Sequence, residues 1–194
     1  MIASPRRSSL KLIFSGLSFV LSFFVIQNTP TLPKVENRVL GIETEKVIQG
    51  SPVRLIIPRI HVDTAIDGVG VDSSGSMETP SNTTNVSWFN LGPLPGEKGS
   101  AVIAGHLNGK NGEAGIFANL DKLKEGDVLY VEDDQGKYRT FSVREASEYK
   151  SGYADEVFSQ NDKAHLNLIT CDGVWNSVKK TYSKRLVVFT DLVL

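Results

Sequence analysis

The hydrophobic pattern divides the chain into three unlike parts. Leu12 to Ile26 is an uncharged run dominated by Leu, Ile, Val and Phe. From about Asn28 to Ser51 the residues are polar, carry Pro30, Pro33 and Pro52 in or beside them, and follow no sustained period, although Val35 to Val47 has spacing for a short helix. From Pro52 onward, short apolar runs with β-type alternation are separated by Gly, Pro, Asn and Asp, the punctuation of a sandwich or barrel. Strands are expected at Val53 to Ile57, Ser100 to Gly105, Asp127 to Asp133, Tyr138 to Glu145, His165 to Thr170 and Arg185 to Leu192, with weaker ones near His61 to Ile66 and Gly75 to Thr79. Val128 to Glu132 and Tyr138 to Val143, joined across Asp133-Asp134-Gln135-Gly136-Lys137, read as a hairpin. One segment carries helical spacing, Ala114 to Leu123, with Ile116, Phe117, Leu120 and Leu123 on one face. The pattern predicts a closed or nearly closed, mainly β body with a small helix, and no internal repeat.

Arg6, Arg7 and Lys11 precede the first apolar run, the arrangement of an export or anchor signal. Its length spans only about 22 Å at 1.5 Å per residue, so a full crossing recruits Leu10, the snorkelling Lys11 and Gln27 to Thr29. The following Gln27-Asn28-Thr29-Pro30-Thr31-Leu32-Pro33 offers no small-x-small cleavage site. The expectation is therefore an uncleaved membrane helix within residues 1–27, a flexible linker at 28–51 and a folded domain at 52–194. With the cations retained inside, that domain lies outside the cytoplasm.

Composition narrows the choice of chemistry. A chain of 194 residues, 40% apolar, buries one sizeable core. Its 21 basic and 22 acidic residues nearly cancel, and the body has no basic run, which argues against nucleic acid as a partner. One cysteine excludes an internal disulfide.

That cysteine ends the run Asn167-Leu168-Ile169-Thr170-Cys171 and precedes the turn-prone Asp172-Gly173, which places it at an expected strand end. A lone thiol is commonly just a small buried apolar group, but one presented at a strand end can be a nucleophile. Three histidines are available as its partner. His61 reads as a strand residue. His165 lies six positions before Cys171 on the same expected strand, about 18 Å away. His106 ends Ser100-Ala101-Val102-Ile103-Ala104-Gly105 and so repeats the placement of Cys171. The two strand ends converge if their strands run in the same sense, making a thiol–imidazole pair. Acyl transfer also needs a cation for the developing oxyanion. Arg185 opens the last expected strand, but Lys179, Lys180 and Lys184 crowd the same loop, and spacing does not choose among them.

With Ile57-Pro58-Arg59-Ile60, the Ala104-Gly105-His106 strand end, Leu168-Ile169-Thr170-Cys171 and Lys184-Arg185-Leu186-Val187-Val188, the chain from about Val53 onward resembles the sortases, membrane-anchored cysteine transpeptidases of mostly Gram-positive envelopes. The resemblance implies an eight-stranded β-barrel with one or two short helices, catalytic His106, Cys171 and Arg185, and a contribution to substrate binding from Thr170. It implies cleavage of a Leu-Pro-x-Thr-Gly-like sorting signal on surface proteins through a thioacyl enzyme. Transfer then goes to an envelope amine such as a peptidoglycan precursor or a pilin lysine. Leu168 stands where Thr is commoner. The run Pro95 to His106, followed by Gly115-Ile116-Phe117 and Leu123 to Asp127, is most similar to class F, with classes D and E next. A chain ending at Leu194 without a second membrane segment, and nothing like a lid before the barrel, set the expectation against the pilin-polymerising class C.

Other chemistry fares worse. Glu125, Asp127, Glu132, Asp133, Asp134 and Glu156 form no Asp-x-Asp-x-Asp-Gly loop, so no cofactor is expected and calcium is the lesser alternative. The glycine-rich stretch Gly105 to Gly112 lacks the Gly-Lys-Ser/Thr ending of a phosphate loop. Trp88 and Phe89 read as core or rim packing. Asp172 adjoins the thiol and is expected to point away from it. A cysteine hydrolase and a catalytically inactive anchored binding module are the rival readings.

Overall fold

The computed structural model describes residues 50–152 and 156–194; the expected membrane helix and nearly all of the expected linker lie outside them. Eight strands close a barrel in the order β1 (Pro52–Ile57), β2 (Val62–Val69), β3 (Val86–Phe89), β4 (Gly99–Gly105), β7 (Ala164–Asn176), β8 (Thr181–Leu192), β6 (Tyr138–Lys150) and β5 (Val128–Asp133). Two neighbouring pairs are parallel, β2 with β3 and β4 with β7, and the other pairs are antiparallel. Among the described residues the one α-helix is the single turn α1 (Glu156–Ser159), and no helix is long and apolar enough to cross a membrane.

Strand alternation sorts the side chains into two cores. Leu55, Ile57, Ile103, Leu129, Phe141, Leu166, Leu168 and Val188 fill the barrel, all of them wholly buried. Leu168 is thus an interior packing residue, and the apolar side chain suits that position. A smaller cluster of Val102, Val157, Val187 and Phe189, joined by Phe89, Met77, Tyr149 and Ile169, lies on the outer face of β4, β7 and β8. α1 is fastened to that face by Asn167 Nδ2, which donates to the Val157 carbonyl at 2.6 Å, while Ser100 Oγ donates to the Gln160 carbonyl at 3.1 Å.

Several expected elements differ. The helix at Ala114 to Leu123 is absent: successive i→i+3 bonds form turns and a 3₁₀ turn at Leu120–Lys122, while Gly115 N and Phe117 N donate to the carbonyls of Leu107 and His106. Phe117, Leu120 and Leu123 share a face because they plug one end of the barrel, so their spacing reflects burial without an α-helix. Gly75 to Thr79 pairs only through a Val71–Met77 bridge. His61 is not in a strand but occupies the left-handed position after the 3₁₀ turn Pro58–Ile60, with φ 55°. β3 was not anticipated, because four residues between polar turns carry too short a pattern.

β7 and β8 are longer than expected. Cys171 does not end its strand and Arg185 does not open its own: the pair runs on past the barrel wall to Asn176 and from Thr181. Asp172-Gly173 forms an irregularity in the β7–β8 register, with Gly173 at φ 80°, and not a chain reversal. What ends near Thr170 is continuous burial, because the hairpin beyond projects into solvent with Val174 and Val178 exposed.

Candidate active site

The sequence difference between Cys171 and His106 is the register of the parallel pair. β4 and β7 align from Gly99 with Ala164 to Ala104 with Ile169. Gly105 ends β4, and His106 follows it directly, lining the same cleft as Cys171. Thr170 Oγ donates to the Gly105 carbonyl at 2.8 Å, which fastens the two strands at this point. Its one hydroxyl hydrogen is committed to that bond and its side chain is buried, so it offers a substrate no donor. On the other side, Cys171 lies directly opposite Arg185 in the antiparallel β7–β8 ladder, where facing side chains share one side of the sheet.

By alternation, Ile169, Cys171 and Arg185 face outward, over the smaller core. There they line a cleft of about 680 Å³ together with His106, Thr170, Ala104, Phe89, Phe158 and residues 75–80 of the β2–β3 connection. Its floor is apolar, with Phe89 and Phe158 edge to face at 5.5 Å between ring centres. His106, Cys171 and Arg185 are each half-buried, so a ligand can reach them without being fully withdrawn from water.

Burial pushes the Cys171 thiol above its ordinary value, and the Arg185 charge opposes that without cancelling it. Burial thus favours the thiol over the thiolate at this position. Arg185 donates from Nη1 to the carbonyls of Lys184 at 2.9 Å and Tyr182 at 3.3 Å, and from Nη2 to Thr181 Oγ at 3.3 Å. These bonds engage Nη1 and Nη2 and hold the fork in place. Lys184, one of the competing cations, is instead bound to Glu148 on the other face of the sheet, where Asp172 lies opposite it. Asp172 thus faces away from the thiol.

His106 Nε2 lies 2.9 Å from the Pro80 carbonyl oxygen. Pro80 was not singled out from sequence and could not have been, because its contribution is a main-chain oxygen. Phe89, read from sequence as core or rim packing, lies at the end of β3 on the cleft wall, while Phe158 and Met77 reach it from the β6–β7 and β2–β3 connections, whose local sequence says nothing of their destination. His165 lies at the far end of β7 from Cys171, buried between Asp191 and Asp162, at 2.8 and 2.7 Å. No cluster of metal-ligating side chains occurs among the described residues. Asp133, one of the acidic candidates, is engaged within its own hairpin by Arg139 and the N–H groups of Gln135 and Lys137.

The same chain can be set against known proteins. The sequence profile of the sortase domain family matches residues 55–193. Sortase A of Bacillus anthracis is 36% identical over 96 residues, which cover 50% of this chain and 41% of that protein's length. The crystal structure of sortase C-1 from Actinomyces oris superposes with a TM-score of 0.59 at 28% identity, covering 74% of this chain and 76% of that one. Sortase A from Corynebacterium diphtheriae shares the fold, with a TM-score of 0.56 at 24% identity over 75% of this chain and 62% of that one. Sortases of both the C and the A kind are among these structures, so the likeness speaks to the family and to no subclass. The profile match across nearly the whole barrel, on a fold shared with solved sortases, shows that this chain belongs to the sortase family.

Proposed function

We propose that the protein is a membrane-anchored, extracytoplasmic transpeptidase that cleaves a Leu-Pro-x-Thr-Gly-like sorting signal and passes the acyl group to an envelope amine. The observation that supports this most is that His106, just past the end of β4, lines one cleft with the one thiol and with Arg185, its partner across the β7–β8 ladder. Cys171 Sγ attacks the Thr carbonyl carbon, the carbonyl electrons move to oxygen, and the thiol proton passes to His106. Arg185 and a main-chain N–H near Cys171 balance the oxyanion. As the C–N bond breaks, His106 gives its proton to the departing glycine amine, leaving a thioacyl enzyme. An incoming amine then attacks the thioester and loses its proton to His106, and the thiolate leaves. The apolar floor beside Phe89 and Phe158 suits the Leu-Pro part of such a signal. The expected N-terminal helix supplies the anchor, with the domain outside the cytoplasm, and no cofactor enters the scheme.

The test is incubation of the protein with a sorting-signal peptide, with and without a small amine acceptor, read by mass spectrometry. Product that carries the amine supports transpeptidation. Hydrolysis alone at saturating amine returns the cysteine hydrolase. No reaction, with no labelling of Cys171 by thiol reagents, returns the binding module.

A further inference from the structure

We propose that the main-chain carbonyl of Pro80 is a positioning group for proton transfer: it holds hydrogen on His106 Nε2 and so assigns the reaction's proton traffic to Nδ1. This rests on the transpeptidase reading above. A carbonyl oxygen only accepts, so the 2.9 Å contact requires the hydrogen to be on Nε2. A neutral imidazole has a single N–H, which leaves the Nδ1 lone pair free.

The carbonyl is held in place before any substrate arrives. Pro80 is buried, and the turn after it is fixed by Asn82 Oδ1, which accepts from Thr84 N, Thr84 Oγ and Asn85 N at 2.7–2.9 Å. Thr64 Oγ of β2 donates to the Thr84 carbonyl at 2.6 Å, and Ile116 N donates to that of Thr83 at 2.9 Å. The neighbouring Phe117 N donates to the carbonyl of His106 itself at 3.0 Å. Both ends of the Nε2–oxygen bond therefore belong to one hydrogen-bonded block.

In the forward half-reaction Nδ1 takes the Sγ proton as the C–S bond forms, and the ring becomes an imidazolium with Nε2–H still on Pro80. That bond is then charge-assisted and strengthens as the transition state is approached. Nδ1 hands its proton to the leaving amine as the C–N bond breaks. In the second half Nδ1 takes a proton from the incoming amine and returns it to sulfur as the thiolate is expelled. Pro80 thus does with a neutral dipole what a carboxylate does for the histidine of a serine-protease triad.

The test uses the full-length chain with Ser81 replaced by its α-hydroxy acid through nonsense suppression. This turns the 80–81 amide into an ester and makes the Pro80 carbonyl a weaker acceptor. Every side chain is kept, and the N–H removed makes no hydrogen bond among the described residues. The expected result is a fall in kcat of about 10-fold with KM changed by less than about twofold, at an unaltered melting temperature. Independently of turnover, ¹⁵N NMR of the His106 ring in the unmodified protein should show hydrogen on Nε2. An unchanged kcat in the ester chain, or hydrogen on Nδ1 in the NMR spectrum, overturns the proposal. Absence of amine transfer by the unmodified protein would instead remove the functional reading, while the NMR result would still stand.

Discussion

Cys171 and Arg185 face one another across β7 and β8, and the balance between burial and that one cation sets the state of the thiol. Because burial prevails, alkylation of Cys171 by iodoacetamide should rise with pH to a midpoint above about 8.5, the value of a free cysteine. Arg185→Met removes the opposing charge and should move the midpoint higher still; a midpoint that stays put would show that the guanidinium is not felt at sulfur. Arg185→Lys keeps the charge but loses the fork fastened to Tyr182, Lys184 and Thr181. Its alkylation profile should stay near the original while turnover of a sorting peptide drops by about 10²-fold. Equal kinetics would move the oxyanion role to another group. These residues were legible because the chemistry named them: one thiol, three histidines, and a resemblance that chose Arg185 among four neighbouring cations. Pro80 was not legible, since a main-chain oxygen leaves no mark in residue type.

At the scale of elements, Gly105 shows why the end of β4 needs a glycine. A Cβ built there would lie 2.5 Å from the Phe117 ring, itself wholly buried at the barrel end. Gly105→Ala should therefore cost about 1–3 kcal/mol as an overpacking change, measured as a lower urea midpoint. A loss below a few tenths would mean that Phe117 is free to move aside. Seven of the eight strands had a local signal, in alternation or an apolar run, and β3 had too few residues to show one. Where β7 and β8 stop was not readable. Asp172-Gly173 carries the local chemistry of a turn, yet the partner strand supplies ladder bonds on both sides of it and turns the glycine into an irregularity. The apparent helix failed for a related reason, as periodic apolar residues can close a barrel end without forming one.

The whole barrel has two distinct ends. β1 and β7 run in the same direction, as the chain of antiparallel pairings through β5, β6 and β8 requires, so the chain enters at Pro52 at the end opposite Cys171. Near the entry end, Asp191 gathers Lys163, Arg144 and His165, and Asp162 takes the other nitrogen of His165. Burial raises the Asp191 carboxyl, but Lys163, His165 and Arg144 outweigh it and leave it below the usual range; His165 does the same for Asp162. A depressed carboxylate contributes stability that is present above its ordinary value near pH 4 and is lost as pH falls further. Asp191→Asn should consequently lower the urea midpoint at pH 7, with the deficit narrowing below about pH 4. A deficit independent of pH would assign the effect to packing instead.

The proposed reaction passes through a covalent thioacyl enzyme, and intact-mass spectrometry of the protein quenched in acid during turnover tests for it most directly. The predicted result is an adduct equal to the sorting peptide's acyl portion through Thr, mapped to Cys171, discharged by hydroxylamine and absent from Cys171→Ala, which should remain folded by circular dichroism. Peptide cleavage that proceeds with no adduct on Cys171, or that survives Cys171→Ala, would contradict it.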